Sequence, residues 1–204
     1  MFDQEGHFRI DASSFQALLR NDEFPWLIDG VLLNCTPVFF ETRPLYHAFL
    51  ENLSYELDIH PKCFAIRGSW LLGFSLKPQQ LWKPVGEQSD LDLAIIDKSY
   101  YEQIEDQVRL YDRLHPELRG SQYDRRLTYR KYFYHRYFDL PPIAAIKDQT
   151  EALGKLSNKY LKRPDKLNAF VFKDWWSLHS RWEYELQDIG AGLRQRRYPK
   201  NFNN

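Results

Sequence analysis

Apolar residues recur at spacings of three and four in several parts of the chain, which is typical of amphipathic helices packed on a core. The pattern predicts helices over residues 41–58 and 98–114, and a shorter one over residues 11–20. Residues 167–193 show the same spacing, so we expect a long helix or a helix pair there. Strand character is lacking throughout residues 148–193.

Three short apolar or aromatic runs are bounded by turn residues and predict strands. They are residues 63–66, residues 91–96 and residues 132–140. A Gly68-Ser69 turn and a short helix from Trp70 follow the first run, and a loop rich in Pro, Gln and Gly spans residues 75–88. This order of helices and strands predicts an α/β (α+β) fold, with a small mixed sheet and helices at both ends of the chain.

The length of 204 residues allows one sizeable core with a helical extension, and we expect one compact unit. Three segments are predicted within it: an N-terminal helical segment over 1–40, a core over 41–147 and a C-terminal helical extension over 148–204. Apolar residues make up 43% of the chain and aromatic residues 16%, which favours a folded protein over a disordered one.

The overall charge points to no polyanionic partner, because Lys plus Arg and Asp plus Glu number 28 each. The basic cluster at 194–197 fits a solvated tail at least as well as a phosphate contact. Cys35 and Cys63 stand in unrelated contexts and predict neither a disulfide framework nor a thiolate metal site. The chain starts without a signal-peptide pattern and lacks an apolar run of about 20 residues. We therefore expect a cytoplasmic protein with no membrane segment.

Two carboxylates, Asp90 and Asp92, are two residues apart at the start of a predicted strand, so both side chains point to one face. Like charges so close repel unless a cation or a proton lies between them. Hard oxygen ligands of this kind suit Mg²⁺ or Mn²⁺, and Mg²⁺ typically binds one or two carboxylates together with substrate phosphates. Upstream, Gly68 lets the backbone approach a phosphate, and the Ser69 hydroxyl and nearby amides can donate hydrogen bonds to it.

In the order Gly68-Ser69-Trp70-Leu71-Leu72-Gly73 and then Ser89-Asp90-Leu91-Asp92-Leu93, the chain resembles the DNA polymerase β-type nucleotidyltransferase superfamily, in particular its small, minimal members. In that family a Gly-Ser turn and a later glycine bind phosphates, an Asp-x-Asp pair on the next strand binds divalent metals, and a third carboxylate usually completes the site. The resemblance covers roughly residues 45–140. It implies nucleotide contacts at Gly68, Ser69, Gly73 and Ser89, and metal ligands at Asp90 and Asp92.

The chain departs from the family pattern in two places. The segment between Gly73 and Ser89 is longer than in compact members, and Leu72 stands where many members have arginine. For the third carboxylate we take Asp139, at the end of the third predicted strand, as metal ligand and catalytic residue. The alternative for Asp139 is a cap on the strand end before Pro141.

The resemblance implies transfer of a nucleotidyl group from a nucleoside triphosphate, such as ATP, to an unidentified acceptor. A protein side chain, a small molecule or an RNA end fits the neutral charge better than a long nucleic acid. Small family members often occur in bacterial toxin–antitoxin or phage-defence systems. Two alternatives stay open: a non-catalytic interaction or nucleotide-binding protein that keeps the fold, and a subunit whose aromatic C-terminal helices dock a larger partner.

Overall fold

The computed structural model describes residues 10–114, 132–134, 144–162 and 166–195. In these ranges the chain forms six α-helices, named here α1 (Ala12–Arg20), α2 (Arg43–Leu57), α3 (Ser69–Leu72), α4 (Lys98–Leu114), α5 (Ala144–Leu161) and α6 (Trp175–Arg194). Four strands accompany them: β1 (Phe64–Arg67), β2 (Leu91–Ile96), β3 (Tyr132–Tyr134) and β4 (Leu167–Phe172). The predicted mixed α/β class is confirmed.

The four strands form one sheet in the order β1-β2-β4-β3. β3 pairs antiparallel with β4, with Phe133 opposite Val171. β2 and β4 run parallel, because Asp92 contacts Asn168 near their starts and the Asp97 N–H donates to the Phe172 carbonyl (3.2 Å) at their ends. β4 therefore lies between β2 and β3 in the sheet.

The described residues group into two compact units, each with its own buried side chains. Unit 1 contains the described residues within Met1–Tyr46, Ile66–Leu91 and His179–Asn204. Unit 2 contains the described residues within His47–Ala65 and Asp92–Leu178. Large side chains fully buried in unit 1 include Phe15, Leu19 and Ile28. In unit 2 they include Phe49, Phe133 and Phe172.

β4 corrects the expectation that residues 148–193 lack strand character. Five of its six residues are buried, since a central strand is covered on both faces and has no polar alternation to reveal it. A largely apolar run also fits helical spacing, so residues 167–172 were included in the helix predicted over residues 167–193. The helix actually begins at Trp175, where the Asp174 carboxylate accepts the Ser177 N–H (2.7 Å).

Other predicted elements agree closely with the structure. The strand predicted over residues 91–96 and the helix predicted over residues 98–114 are confirmed at both ends. A π-helical segment, Trp26–Leu32, was not predicted. None of the helices in the described ranges has the length and apolarity needed to cross a bilayer.

The first helix offers a test of how side-chain capping stabilises unit 1. The hydroxyl of Ser13 and the N–H and hydroxyl of Ser14 donate to the Asp11 carboxylate and hold its pKa well below the ordinary value. Asp11→Ala should lower the free energy of unfolding by about 1 kcal/mol, while Asp11→Asn, which still caps, should retain most of it. Urea denaturation at neutral pH measures the difference.

The same cap has a defined pH dependence. Because the folded pKa of Asp11 lies below the unfolded one, its charge-dependent contribution is complete above about pH 4 and is lost as the pH falls further toward the folded pKa. The gap between wild type and Asp11→Asn should therefore shrink on acidification. Equal stability of wild type and Asp11→Ala at pH 7 would contradict the capping role.

Candidate functional site

A glycine turn joins β1 to α3. Gly68 has φ 73° and ψ −152°, a backbone region that is essentially restricted to glycine. The Leu71 N–H donates to the Gly68 carbonyl (3.1 Å), and the Gly73 N–H donates to the Ser69 carbonyl (2.8 Å). The half-buried Ser69 has a hydroxyl that bonds to no other described residue. It is placed to donate to a ligand at this turn.

The predicted loop over residues 75–88 is part of an ordered excursion. Gly73, with φ 88°, ends α3 in the left-handed conformation, and its carbonyl accepts the Val85 N–H (2.9 Å). Phe74 and Pro84 form an antiparallel bridge just inside this bond. Residues 73 and 85 are therefore adjacent in space, and the chain continues from there to β2.

Aromatic packing anchors the excursion to α1. The Phe74 ring lies 5.6 Å from the ring of Phe15, and the Trp82 ring lies 6.3 Å from it, both edge-on. Phe15 is fully buried, and Phe74 and Trp82 are nearly so. Edge-to-face pairs of this kind add to the stabilisation from burial. The long segment between Gly73 and Ser89 thus contains a packed hairpin.

Ser89 links the turn to the first carboxylate. Its carbonyl accepts the indole N–H of Trp70 in α3 (3.2 Å), which fixes α3 against the residue before Asp90. Its own N–H donates to the Gly86 carbonyl (2.8 Å), and its Oγ accepts the Gly86 N–H (3.3 Å). Asp90 is half-buried and lies one residue ahead of β2. Five predicted site residues thus belong to unit 1: Gly68, Ser69, Gly73, Ser89 and Asp90.

Asp92 lies in unit 2 as the second residue of β2, and it is half-buried in a strand whose other residues are buried. Its Oδ1 accepts the Asn168 Nδ2 from β4 (2.9 Å). Asn168 is only 4% exposed, and its Oδ1 is buried with no hydrogen-bond partner among the described residues. The strand beside β2 therefore presents a neutral amide to Asp92.

Asp139, the predicted third carboxylate, lies outside the described residues, and its role stays a prediction. Within the described ranges, no three Asp, Glu, His or Cys side chains cluster so that they could hold a metal ion. Asn168 was missed because the helix predicted over residues 167–193 covered it. The available signal was an amide inside the apolar run Leu167-Asn168-Ala169.

An ion pair between Arg67 and Glu185 lies directly before the turn in the chain. Arg67, the last residue of β1, is 8% exposed and donates through Nη2 to both oxygens of Glu185 (3.0 and 3.1 Å). Glu185 also accepts Nε of Arg181 (2.7 Å). Two guanidinium groups therefore share one carboxylate directly before Gly68.

Comparisons of the chain with protein-family models, with curated proteins and with solved structures found no match. The resemblance to nucleotidyltransferases therefore stays a prediction carried by the residues of the motif. The placement of Asp90 and Asp92 in one cleft with the Gly68-Ser69 turn also stays a prediction.

Replacing Gly68 tests whether the turn depends on a backbone conformation that other residues avoid. Gly68→Ala should cost about 1–3 kcal/mol of stability, because alanine at φ 73° is strained. Gly86→Ala is the matched control in the same segment: an added Cβ meets nothing within 4 Å there and should change stability by less than about 0.5 kcal/mol. Denaturant titration of both variants measures the two changes, and equal effects would contradict a special role for Gly68.

Proposed function

We propose that the protein is a Mg²⁺-dependent nucleotidyltransferase. The observation that carries the proposal is the hydrogen bond between Trp70 Nε1 and the Ser89 carbonyl, because it ties the helix after the glycine turn to the residue before Asp90. A phosphate-binding turn and a metal-binding carboxylate are useful together only at a fixed separation. In this proposal the turn at Gly68 and Ser69 binds the phosphates of a nucleoside triphosphate.

The oxygen donors near the start of β2 fit Mg²⁺ or Mn²⁺. In this proposal Asp90 and Asp92 offer two carboxylates, the hard oxygen ligands that Mg²⁺ prefers. When bound, the cation supplies charge neutralisation on the phosphates and on the leaving pyrophosphate.

The chain's own residues hold the reactants. The Ser69 hydroxyl and the backbone at Gly68 donate to phosphate oxygens. An acceptor hydroxyl oxygen then attacks the α-phosphorus, the bond to the bridging oxygen breaks, and pyrophosphate leaves. We assign the acceptor's proton to Asp139, which serves as general base in this proposal.

The acceptor belongs to one of three classes: a protein side chain, a small molecule or an RNA end. The equal numbers of acidic and basic residues, 28 each, disfavour a long polyanion, whose binding is dominated by phosphate contacts to Lys and Arg. A place in bacterial toxin–antitoxin or defence chemistry is what the family resemblance implies for this activity.

One observation favours a second candidate, a non-catalytic protein that binds a nucleotide. The strand next to β2 carries Asn168 where a carboxylate would have strengthened a two-metal site, and no cluster of three metal-ligating side chains occurs among the described residues. A protein of this kind would bind a nucleotide with its cation and would not catalyse transfer. Transfer activity separates the two candidates.

Incubation of the purified protein with Mg²⁺ and each α-labelled nucleoside triphosphate, alone and with cell extract, tests the leading proposal. Wild type should label an acceptor, and Asp92→Asn should lower the rate about a hundredfold or more, because it removes a direct metal ligand rather than a supporting one. Asp106→Asn removes an exposed carboxylate from the same unit and should leave the rate unchanged. Equal labelling by wild type and Asp92→Asn would contradict the metal role of Asp92.

Asp139→Asn separates the two roles considered for Asp139, a catalytic residue and a cap on the strand end. In a transferase the variant should lose labelling while it still binds Mg²⁺–ATP, since the turn at Gly68 is intact. In a strand-capping role the substitution leaves labelling at the wild-type rate, and that result would remove Asp139 from the site. A wild type that binds Mg²⁺–ATP but labels nothing, with any extract, would favour the non-catalytic candidate.

A further inference from the structure

Two half-buried aromatic side chains lie in unit 1 next to the glycine turn. Trp70 follows Ser69 in the chain, and the centre of the Phe39 ring lies 5.0 Å from that of Trp70, with the two rings edge-on at 85°. We infer that Phe39 and Trp70 bind the base of the nucleotide by stacking, and that they favour purines over pyrimidines without separating adenine from guanine. This inference rests on the proposed function and deepens it by naming the class of nucleotide.

The indole of Trp70 offers a ligand a ring surface and no hydrogen bond. Its N–H is the only polar group of the side chain, and it already donates to the Ser89 carbonyl (3.2 Å). That bond and the edge-on contact with Phe39 fix the direction of the ring plane. Because the side chain is half-buried, part of its apolar surface stays accessible.

Phe39 is held beside α3 through its neighbours in the chain. The Phe40 ring, which is 4% exposed, packs edge-on against the Phe39 ring at 4.7 Å. Val38 packs at the other end of α3, since a Cβ added to Gly73 would meet its Cγ1 at 3.6 Å. These contacts and the one with Trp70 position the Phe39 ring before any ligand arrives.

Rings of this kind recognise a class of base and not a single base. Phe39 has no polar atom in its side chain and the Trp70 N–H is already used, so neither ring supplies a hydrogen bond that tells adenine from guanine. Every base can stack through its π-face, and the stacked area is larger for a purine than for a pyrimidine. The pair therefore predicts similar binding of ATP and GTP and weaker binding of CTP and UTP.

A purely structural aromatic pair would behave differently. Rings that only pack against α3 would support the turn, and the loss of one ring would weaken every ligand bound at the turn by the same factor. Rings that stack on a base contribute nothing to a ligand that lacks one. Ribose 5-triphosphate, which carries the sugar and the phosphates of ATP and no base, is therefore the probe that separates the two roles.

The test is calorimetric titration of the full chain in MgCl₂ with ATP, GTP, CTP, UTP or ribose 5-triphosphate. Wild type should bind ATP and GTP with similar affinity, CTP and UTP more weakly, and ribose 5-triphosphate about thirtyfold more weakly than ATP. Phe39→Leu keeps an apolar side chain and removes the ring, so it should weaken ATP and GTP about fivefold and leave ribose 5-triphosphate unchanged. Trp70 stays in place because it also bonds to Ser89.

Trp26→Leu is the matched control within unit 1. Trp26 begins the π-helical segment Trp26–Leu32 and is 47% exposed. Its ring packs on Gly30, where an added Cβ would lie 3.3 Å from it. The substitution removes an accessible aromatic ring from a different element of the same unit, and it should leave every affinity at the wild-type value.

The outcomes separate this inference from the proposed function. If ribose 5-triphosphate binds wild type as tightly as ATP, or if Phe39→Leu weakens both by the same factor, the rings bind no base, and the inference fails while the proposed function stands. Equal binding of purine and pyrimidine nucleotides, or binding of only one purine nucleotide, overturns it as well. The wild-type comparisons hold even where Phe39→Leu does not fold. If wild type binds none of the ligands, the proposed function itself falls.

Discussion

The hydrogen bond from the Trp70 indole N–H to the Ser89 carbonyl is the interaction on which the proposed site depends. It joins the helix after the Gly68 turn to the residue before Asp90, so that the proposed phosphate turn and the first proposed metal ligand keep a fixed separation. Within unit 2, Asn168 donates to Asp92 from the parallel strand β4. In the proposed function, Asp90 and Asp92 are the carboxylates that would ligate a divalent cation.

Backbone conformations that most residues avoid concentrate between β1 and β2. Gly68, Gly73 and Trp82 all have positive φ, and Trp82 lacks the freedom that glycine has. Such conformations persist only where packing over-determines them, and they gather at functional sites. Here the packing is supplied by Phe15 from α1 and by the Trp70 hydrogen bond to Ser89. The same contacts that allow the excursion thus hold Asp90 in place.

Local features of this fold could be predicted from the sequence, and pairings between distant segments could not. The short apolar run over residues 91–96, which ends at Asp97, predicts β2, and the polar and apolar faces of residues 98–114 predict α4. Apart from Asn168 the strand β4 is apolar, so it has no polar alternation that separates it from a helix. Asn168 was therefore not predicted as a site residue, although its amide stands out within the apolar run. The Arg67 and Glu185 pair joins residues 118 positions apart, a separation that no local pattern encodes.

The central claim is that Asp90 and Asp92 hold a divalent cation against phosphates bound at the Gly68-Ser69 turn. The most direct measurement is a crystal structure with Mn²⁺ and a non-hydrolysable nucleoside triphosphate, in which anomalous scattering locates the ion. The expected result is an anomalous peak at about 2.1–2.3 Å from carboxylate oxygens of both Asp90 and Asp92, with the triphosphate on the turn. Mn²⁺ and nucleotide bound together at any other surface of the protein would contradict the claim.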